Sequence, residues 1–189
     1  MAGIYMVVGG LDLAAYEHRC SGFAVIDEED KVLKELTCLY SDMDIISKVK
    51  LFSIEILAID APIAAFPKFR EVDREAIRRG FRVFPPTFKS MKMLTIRAWR
   101  LYNELKSTGV IVIETHPRSA LKNSGVNNVI ELCNRLSISI EQYLDKVSHR
   151  DLHDALISSL VAFCYKKKVC IESIEAEDGT IYVIVPLNQ

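Results

Sequence analysis

The sequence predicts an α/β fold on a mixed, partly antiparallel sheet, and three observations predict it. Residues 4–11, 54–59 and 110–113 are short apolar runs, the composition of strands buried on both faces. Segments 90–106 and 150–165 repeat apolar residues at helical spacing. Two pairs of strand-like runs, 22–27 with 32–36 and 169–174 with 180–185, are joined by turn residues.

In chain order, the first strand ends at Asp12, and the first hairpin turns at Glu28-Glu29-Asp30. Residues 42–50 predict a short helix with Ser41 or Asp42 near its cap. The run 54–59 ends at Asp60-Ala61-Pro62, where proline cannot continue a ladder. A basic excursion over 66–88 follows, helical in its middle up to a stop at Gly80 and closed by Pro85-Pro86. The helix over 90–106 turns Leu94, Ala98, Leu101 and Leu105 to one side and stops at Gly109. Strand 110–113 ends at Glu114. Val126, Val129, Ile130, Cys133 and Leu136 line one helical face. The last long helix runs from Arg150 to about Tyr165, with Leu152, Leu156 and Leu160 inward. Lys166-Lys167-Lys168 suits its C-terminal dipole. Asp178-Gly179 marks the turn of a closing hairpin over 169–186. One domain over 1–189 is expected.

The chain has 189 residues, half of them hydrophobic and a quarter charged, which is ordinary globular composition. No apolar run reaches the ~18–20 residues a membrane helix needs. The first ten residues lack a basic start and read as a strand, so a cytoplasmic protein with no membrane partner is expected. The five cysteines, Cys20, Cys38, Cys133, Cys164 and Cys170, are expected to be buried reduced thiols, the alternative being a disulfide if the source is a hyperthermophile. Their spacings do not suggest cysteine-held zinc.

Net charge is -1, yet its distribution is uneven. Residues 66–106 hold eleven Lys/Arg against four Asp/Glu, a local charge of +7 that leaves -8 elsewhere. This asymmetry points to a phosphate-bearing ligand, the alternative being a solvated helical face. Arg70, Arg74, Arg78, Arg79 and Arg82 are the candidate phosphate grips, unless Asp73 and Glu75 pair with them. Phe81, Phe84 and Phe88 either stack on bases or anchor the excursion in the core.

Asp12, Asp60 and Glu114 each end a strand. If those strands are parallel neighbours, the acids share the sheet edge where open α/β sheets bind ligands. Gathered anions repel, and Mg²⁺ or Mn²⁺ relieves the repulsion because hard cations take oxygen ligands. Asp151 and Asp154 are three apart and lie on one face of the last long helix. Taken singly, each has another reading. Asp12 and Asp60 are potential turn formers, and Glu114 a cap for a helix at Pro117. Ser148 and Asp151 have the spacing of a capping pair, whereas Asp154 sits too deep to cap. His116, His149 and His153 lie near these acids, but no His-Glu-x-x-His is present.

Gly10-Leu11-Asp12-Leu13-Ala14 resembles the first-strand motif of RNase H-like proteins. With Ile59-Asp60-Ala61-Pro62, Arg70-x-x-Asp73-Arg74-Glu75, Glu114-Thr115-His116-Pro117 and His153-Asp154-Ala155-Leu156, the chain resembles the DUF429 family of predicted nucleases. Asp-x-x-Asp-Ala-Leu on the last helix is also similar to RuvC-type resolvases. The resemblance implies an RNase H-like core, a mixed five-stranded sheet flanked by helices, with the C-terminal hairpin as an addition. It implies phosphodiester hydrolysis of DNA or RNA with two Mg²⁺ or Mn²⁺ ions about 3.5–4 Å apart. Asp12, Asp60 and Asp154 would be the metal ligands, with Asp151 or Glu114 supplementary. Two alternatives remain beside a nuclease: a phosphotransferase or ATPase related to the actin-like fold, and a non-catalytic nucleic-acid-binding module. Whether the chain forms a homo-oligomer is left open.

Overall fold

The computed structural model describes residues 7–84 and 88–187. Residues 4–6 of the expected first strand and Pro85-Pro86 of the excursion lie outside the described residues. The strands are β1 (Val7–Asp12), β2 (Ser21–Asp27), β3 (Val32–Leu39), β4 (Ile56–Asp60), β5 (Ile111–Thr115), β6 (Ile171–Ala176) and β7 (Gly179–Ile184). The helices are α1 (Asp42–Leu51), α2 (Glu71–Arg78), α3 (Lys89–Ser107), α4 (Pro117–Ser124), α5 (Val129–Leu136) and α6 (Arg150–Lys167).

All seven strands form one sheet in the order β3-β2-β1-β4-β5-β7-β6. Neighbours β1, β4, β5 and β7 run parallel, while β2, β3 and β6 are antiparallel to their partners. The five-stranded expectation is therefore corrected to seven. The closing hairpin does not stand apart, because β7 pairs with β5 and carries β6 as the new edge. Its turn is fastened as well. Asp178 accepts hydrogen bonds from the backbone N–H groups of Glu71 and Val72 at 2.9 and 3.1 Å, capping α2 from a distant part of the chain.

Alternation along the strands feeds two cores. Val8, Ala24, Ile26, Ile56 and Ala58 pack on the α6 side, together with α4 and α5. Val7, Leu11, Phe23, Val25, Leu57 and Ile59 pack on the other side against Ile45 and Val49 of α1 and Ala98, Leu101 and Leu105 of α3. Helix α6 is apolar around most of its circumference because it is covered on both sides: residues 154–164 are all buried. It reaches the sheet through glycine. A Cβ on Gly10 would sit 2.1 Å from the Ser159 nitrogen and 2.2 Å from the Ala155 oxygen, and one on Gly22 would sit 1.9 Å from the Asp151 oxygen.

Helix starts follow local chemistry. Ser41 and Asp44 form a capping box on α1. Asn128 caps α5, and Pro117 opens α4 at the position where its missing N–H costs nothing.

The cysteine expectation is overturned. Cys20 is bonded to Cys38 and Cys164 to Cys170, which leaves Cys133 free and buried among the described residues. Sequence spacing gave no sign of either pair, since the contact between Cys20 and Cys38 exists only once β2 pairs with β3.

Candidate active site

The parallel pairing of β1 and β4 makes Asp12 and Asp60 register partners. Both continue the row of residues that faces α6, after Gly10 and Ala58. Helix α6 presents Asp151 and Asp154 to the same place. Asp12, Asp60, Asp151 and Asp154 line one cavity of about 370 Å³, with Arg118, Arg150, His116 and Lys68 also on its wall.

Hydrogen bonding divides the acids. Among the described residues, no hydrogen bond or ion pair reaches the carboxylates of Asp12, Asp60 or Asp151. Asp154 is buried and has one oxygen 2.9 Å from His153 Nδ1. The Asp12 carboxyl is pushed up to about 7, first by burial and then by the charges of Asp154 and Asp151, with Arg150 and Arg118 opposing. Asp60 is raised well above the usual carboxylate range by burial, then by Asp12, Asp154 and Glu114. These carboxylates lack enough positive charge around them, and every donor they offer is oxygen. The donor set fits hard divalent cations such as Mg²⁺ or Mn²⁺.

Glu114 also borders the cavity, but it is already engaged. It pairs in register with Ile59, so it leaves the sheet on the face opposite Asp60. Arg70 donates to both of its oxygens, at 2.7 and 2.5 Å, and the Ile63 N–H donates at 2.8 Å. Arg70 also binds both oxygens of Asp73 through Nη2 at 2.7 Å and Nε at 3.2 Å. All three side chains are buried. Burial works against the guanidinium charge, but Glu114 and Asp73 more than offset it and hold the pKa of Arg70 up. Glu114 is thus engaged in a buried ion triad, and Arg70 takes the alternative that the sequence left open, pairing with Asp73 as well as with Glu114.

The other arginines differ among themselves. Arg74, Arg78 and Arg79 lie exposed on or just after α2 and pair with Glu71, Glu75 and Glu172. Arg82 is exposed and has no ion pair among the described residues. Phe81 is buried, whereas Phe84 and Phe88 are exposed and Phe84 lines the cavity. The proposed capping pair at Ser148 does not form. The Ser148 hydroxyl donates to the Asp145 carbonyl, and the side chain of His149, the N-cap residue of α6, makes no capping hydrogen bond among the described residues.

Sequence reading missed Arg118 and Arg150. Each stands in the first turn of a helix, two residues after His116 and one before Asp151, and neither has an ion pair among the described residues. Their adjacency to the acidic motifs was the available signal. His116 lines the cavity with Nδ1 2.5 Å from the Ser119 hydroxyl. Burial and then Arg118 lower its pKa, favouring the neutral ring.

Compared with solved structures, the chain resembles the RuvC protein of Thermus thermophilus. The fold is RNase H-like. One matching structure, of T. thermophilus RuvC in complex with a Holliday junction substrate, has a TM-score of 0.58 and 15% identity, covering 86% of this chain and 96% of that one. A second T. thermophilus RuvC structure has a TM-score of 0.55 and 15% identity, covering 87% of this chain and 98% of that one. No family profile and no curated protein matches the chain. RuvC is thus a relative in architecture. Among the described residues, no helix is long and apolar enough to cross a membrane.

Proposed function

We propose that this protein is a metal-dependent nuclease that hydrolyses phosphodiester bonds of DNA or RNA. The observation that carries the reading is the meeting of Asp12, Asp60, Asp151 and Asp154, from three elements, on one cavity wall with their charges largely uncompensated. Architectural likeness to RuvC, a protein solved on a DNA junction, supports the same reading. So does the resemblance of the motifs to the DUF429 predicted nucleases.

Asp12, Asp60 and Asp154 would hold two Mg²⁺ or Mn²⁺ ions, with Asp151 as a supplementary ligand. Such ions supply Lewis acidity at the phosphate and a water acidic enough to attack near neutral pH. The chain's own groups do the rest. His153 fixes the rotamer of Asp154 through its Nδ1 contact. Arg118 and Arg150, free of ion pairs among the described residues, bind the phosphates flanking the scissile bond. His116, neutral and held by Ser119, takes or returns a proton at Nε2. Glu114 bears no metal. It holds Arg70 and thereby the wall of the cavity.

The test is incubation of labelled single-stranded, duplex and four-way-junction substrates with the full chain, with Mg²⁺, Mn²⁺ or chelator. Cleavage is expected only with metal. Asp12→Asn should lower it by more than the roughly 10–100-fold that loss of a supporting group costs. Cleavage indifferent to both metal and the mutation would overturn the proposal.

A further inference from the structure

One group of side chains whose ligand atoms lie close enough together to share a metal ion stands outside the acidic cavity. The ligand atoms of Cys20, Cys38 and His149 all lie within 4.8 Å of one another. The fold builds this meeting. Cys38 is the register partner of Gly22, two residues after Cys20, and Gly22 abuts the Asp151 carbonyl in the first turn of α6. That contact brings the N-cap residue of α6, His149, beside both sulfurs. Both cysteines are partly buried and His149 is exposed, so an ion can reach the site from solvent. The His149 ring has no hydrogen-bond partner among the described residues and caps no backbone group.

We propose that Cys20, Cys38 and His149 form a zinc site when the Cys20–Cys38 disulfide is reduced. Two thiolates and an imidazole suit Zn²⁺, which takes Cys and His in tetrahedral sites and leaves the fourth position here to water. Ligand atoms around such an ion are roughly 3.5–3.8 Å apart, so the two sulfurs, bonded to each other in the disulfide, must separate after reduction while the His149 nitrogen already lies within 4.8 Å of both. The chemistry balances. A dithiol reductant delivers two electrons and two protons, the S–S bond breaks to two thiols, and the reductant closes to its own disulfide. Zn²⁺ then replaces the two thiol protons, which pass to water.

The two states fasten different parts of the protein. The disulfide joins the β2–β3 hairpin to itself, whereas the metal would tie that hairpin to the start of α6. The inference stands on its own geometry and does not need the nuclease reading.

Co²⁺ is the probe, added to full-length reduced protein with excess Mg²⁺ to occupy the carboxylates. One Co²⁺ per chain is expected, with a sulfur-to-cobalt charge-transfer band that Zn²⁺ bleaches. Cys20→Ser and Cys38→Ser should abolish the band, and Cys164→Ser with Cys170→Ser should keep it. His149→Ala should weaken binding beyond the roughly 10–100-fold typical of a supporting group. Oxidised protein should show no band. A reduced protein with titratable thiols but no band, or a band that survives Cys20→Ser, would overturn the proposal. Should the serine variants misfold, X-ray absorption of the zinc-loaded native chain decides. Two sulfur neighbours support the site, and a shell of oxygen and nitrogen alone refutes it.

Discussion

The guanidinium of Arg70 holds both oxygens of Glu114 and both oxygens of Asp73. One cation thus serves two buried anions, and its removal leaves both uncompensated. Arg70→Met is expected to destabilise the fold by about 3–5 kcal/mol, the usual cost of breaking a buried pair from one side. Arg70→Lys should rescue little, because an ammonium cannot bridge two carboxylates with a planar fork. Urea denaturation checks both. A loss under about 1 kcal/mol for the methionine variant would contradict the triad's role.

Asp12→Asn should separate stability from metal binding. Without metal, the neutral side chain relieves repulsion from Asp154 and Asp151, so the melting temperature should hold or rise. With Mn²⁺, the native chain should gain thermal stability and the variant should gain almost none. Equal Mn²⁺ shifts in both proteins would place the ions elsewhere.

The pH dependence follows from the same residue. The carboxyl of Asp12 is raised from 3.8 to about 7 in the folded chain. The folded state therefore binds more protons than the unfolded state between those values. Its stabilising contribution is complete below the unfolded pKa and is lost as pH rises through about 7. The melting-temperature gap between metal-free Asp12→Asn and the native chain should widen from about pH 4 to about pH 8. A gap that stays constant or narrows would mean that Asp12 titrates normally.

Gly10→Ala tests the closeness of α6 to the sheet. The added carbon would lie 2.1 and 2.2 Å from backbone atoms of Ser159 and Ala155, so the helix must move outward. Overpacking of this kind costs about 1–3 kcal/mol or more. Because α6 carries Asp154, the variant should also lose Mn²⁺ affinity, measured by calorimetry. Unchanged stability and affinity would show that the helix yields freely.

Charge pairing ranks the arginines. Arg118→Ala and Arg150→Ala should each weaken nucleic-acid binding and flatten its salt dependence. Arg74→Ala and Arg78→Ala, whose partners are Glu71 and Glu75, should do so less. Fluorescence anisotropy at several salt concentrations measures this, and the reverse ranking would move the interface to α2.

Much of the architecture was legible because strands and helices write their period into the chain. Alternation and apolar runs located each described strand, and Gly10, Asp12, Asp60 and Asp154 carried the motif that suggested the fold. What escaped was pairing across distance. Glu114 stands one residue before the end of β5, whereas Asp12 and Asp60 end their strands, and its position in the pleat turns it to the other face. Arg70 reads like its exposed neighbours, since nothing local reveals that Glu114 will bury it. The cysteines escaped for the same reason: side-chain chemistry predicts what a residue can do, whereas its partner is chosen by register.

The turn at Asp178 has a consequence for the order of assembly. Asp178 caps the helix that follows Arg70, and Ile181 of the next strand lines the acidic cavity. Both are synthesised after every catalytic candidate. On the ribosome, the nascent chain would therefore carry all the acids of the cavity before its wall could close around them.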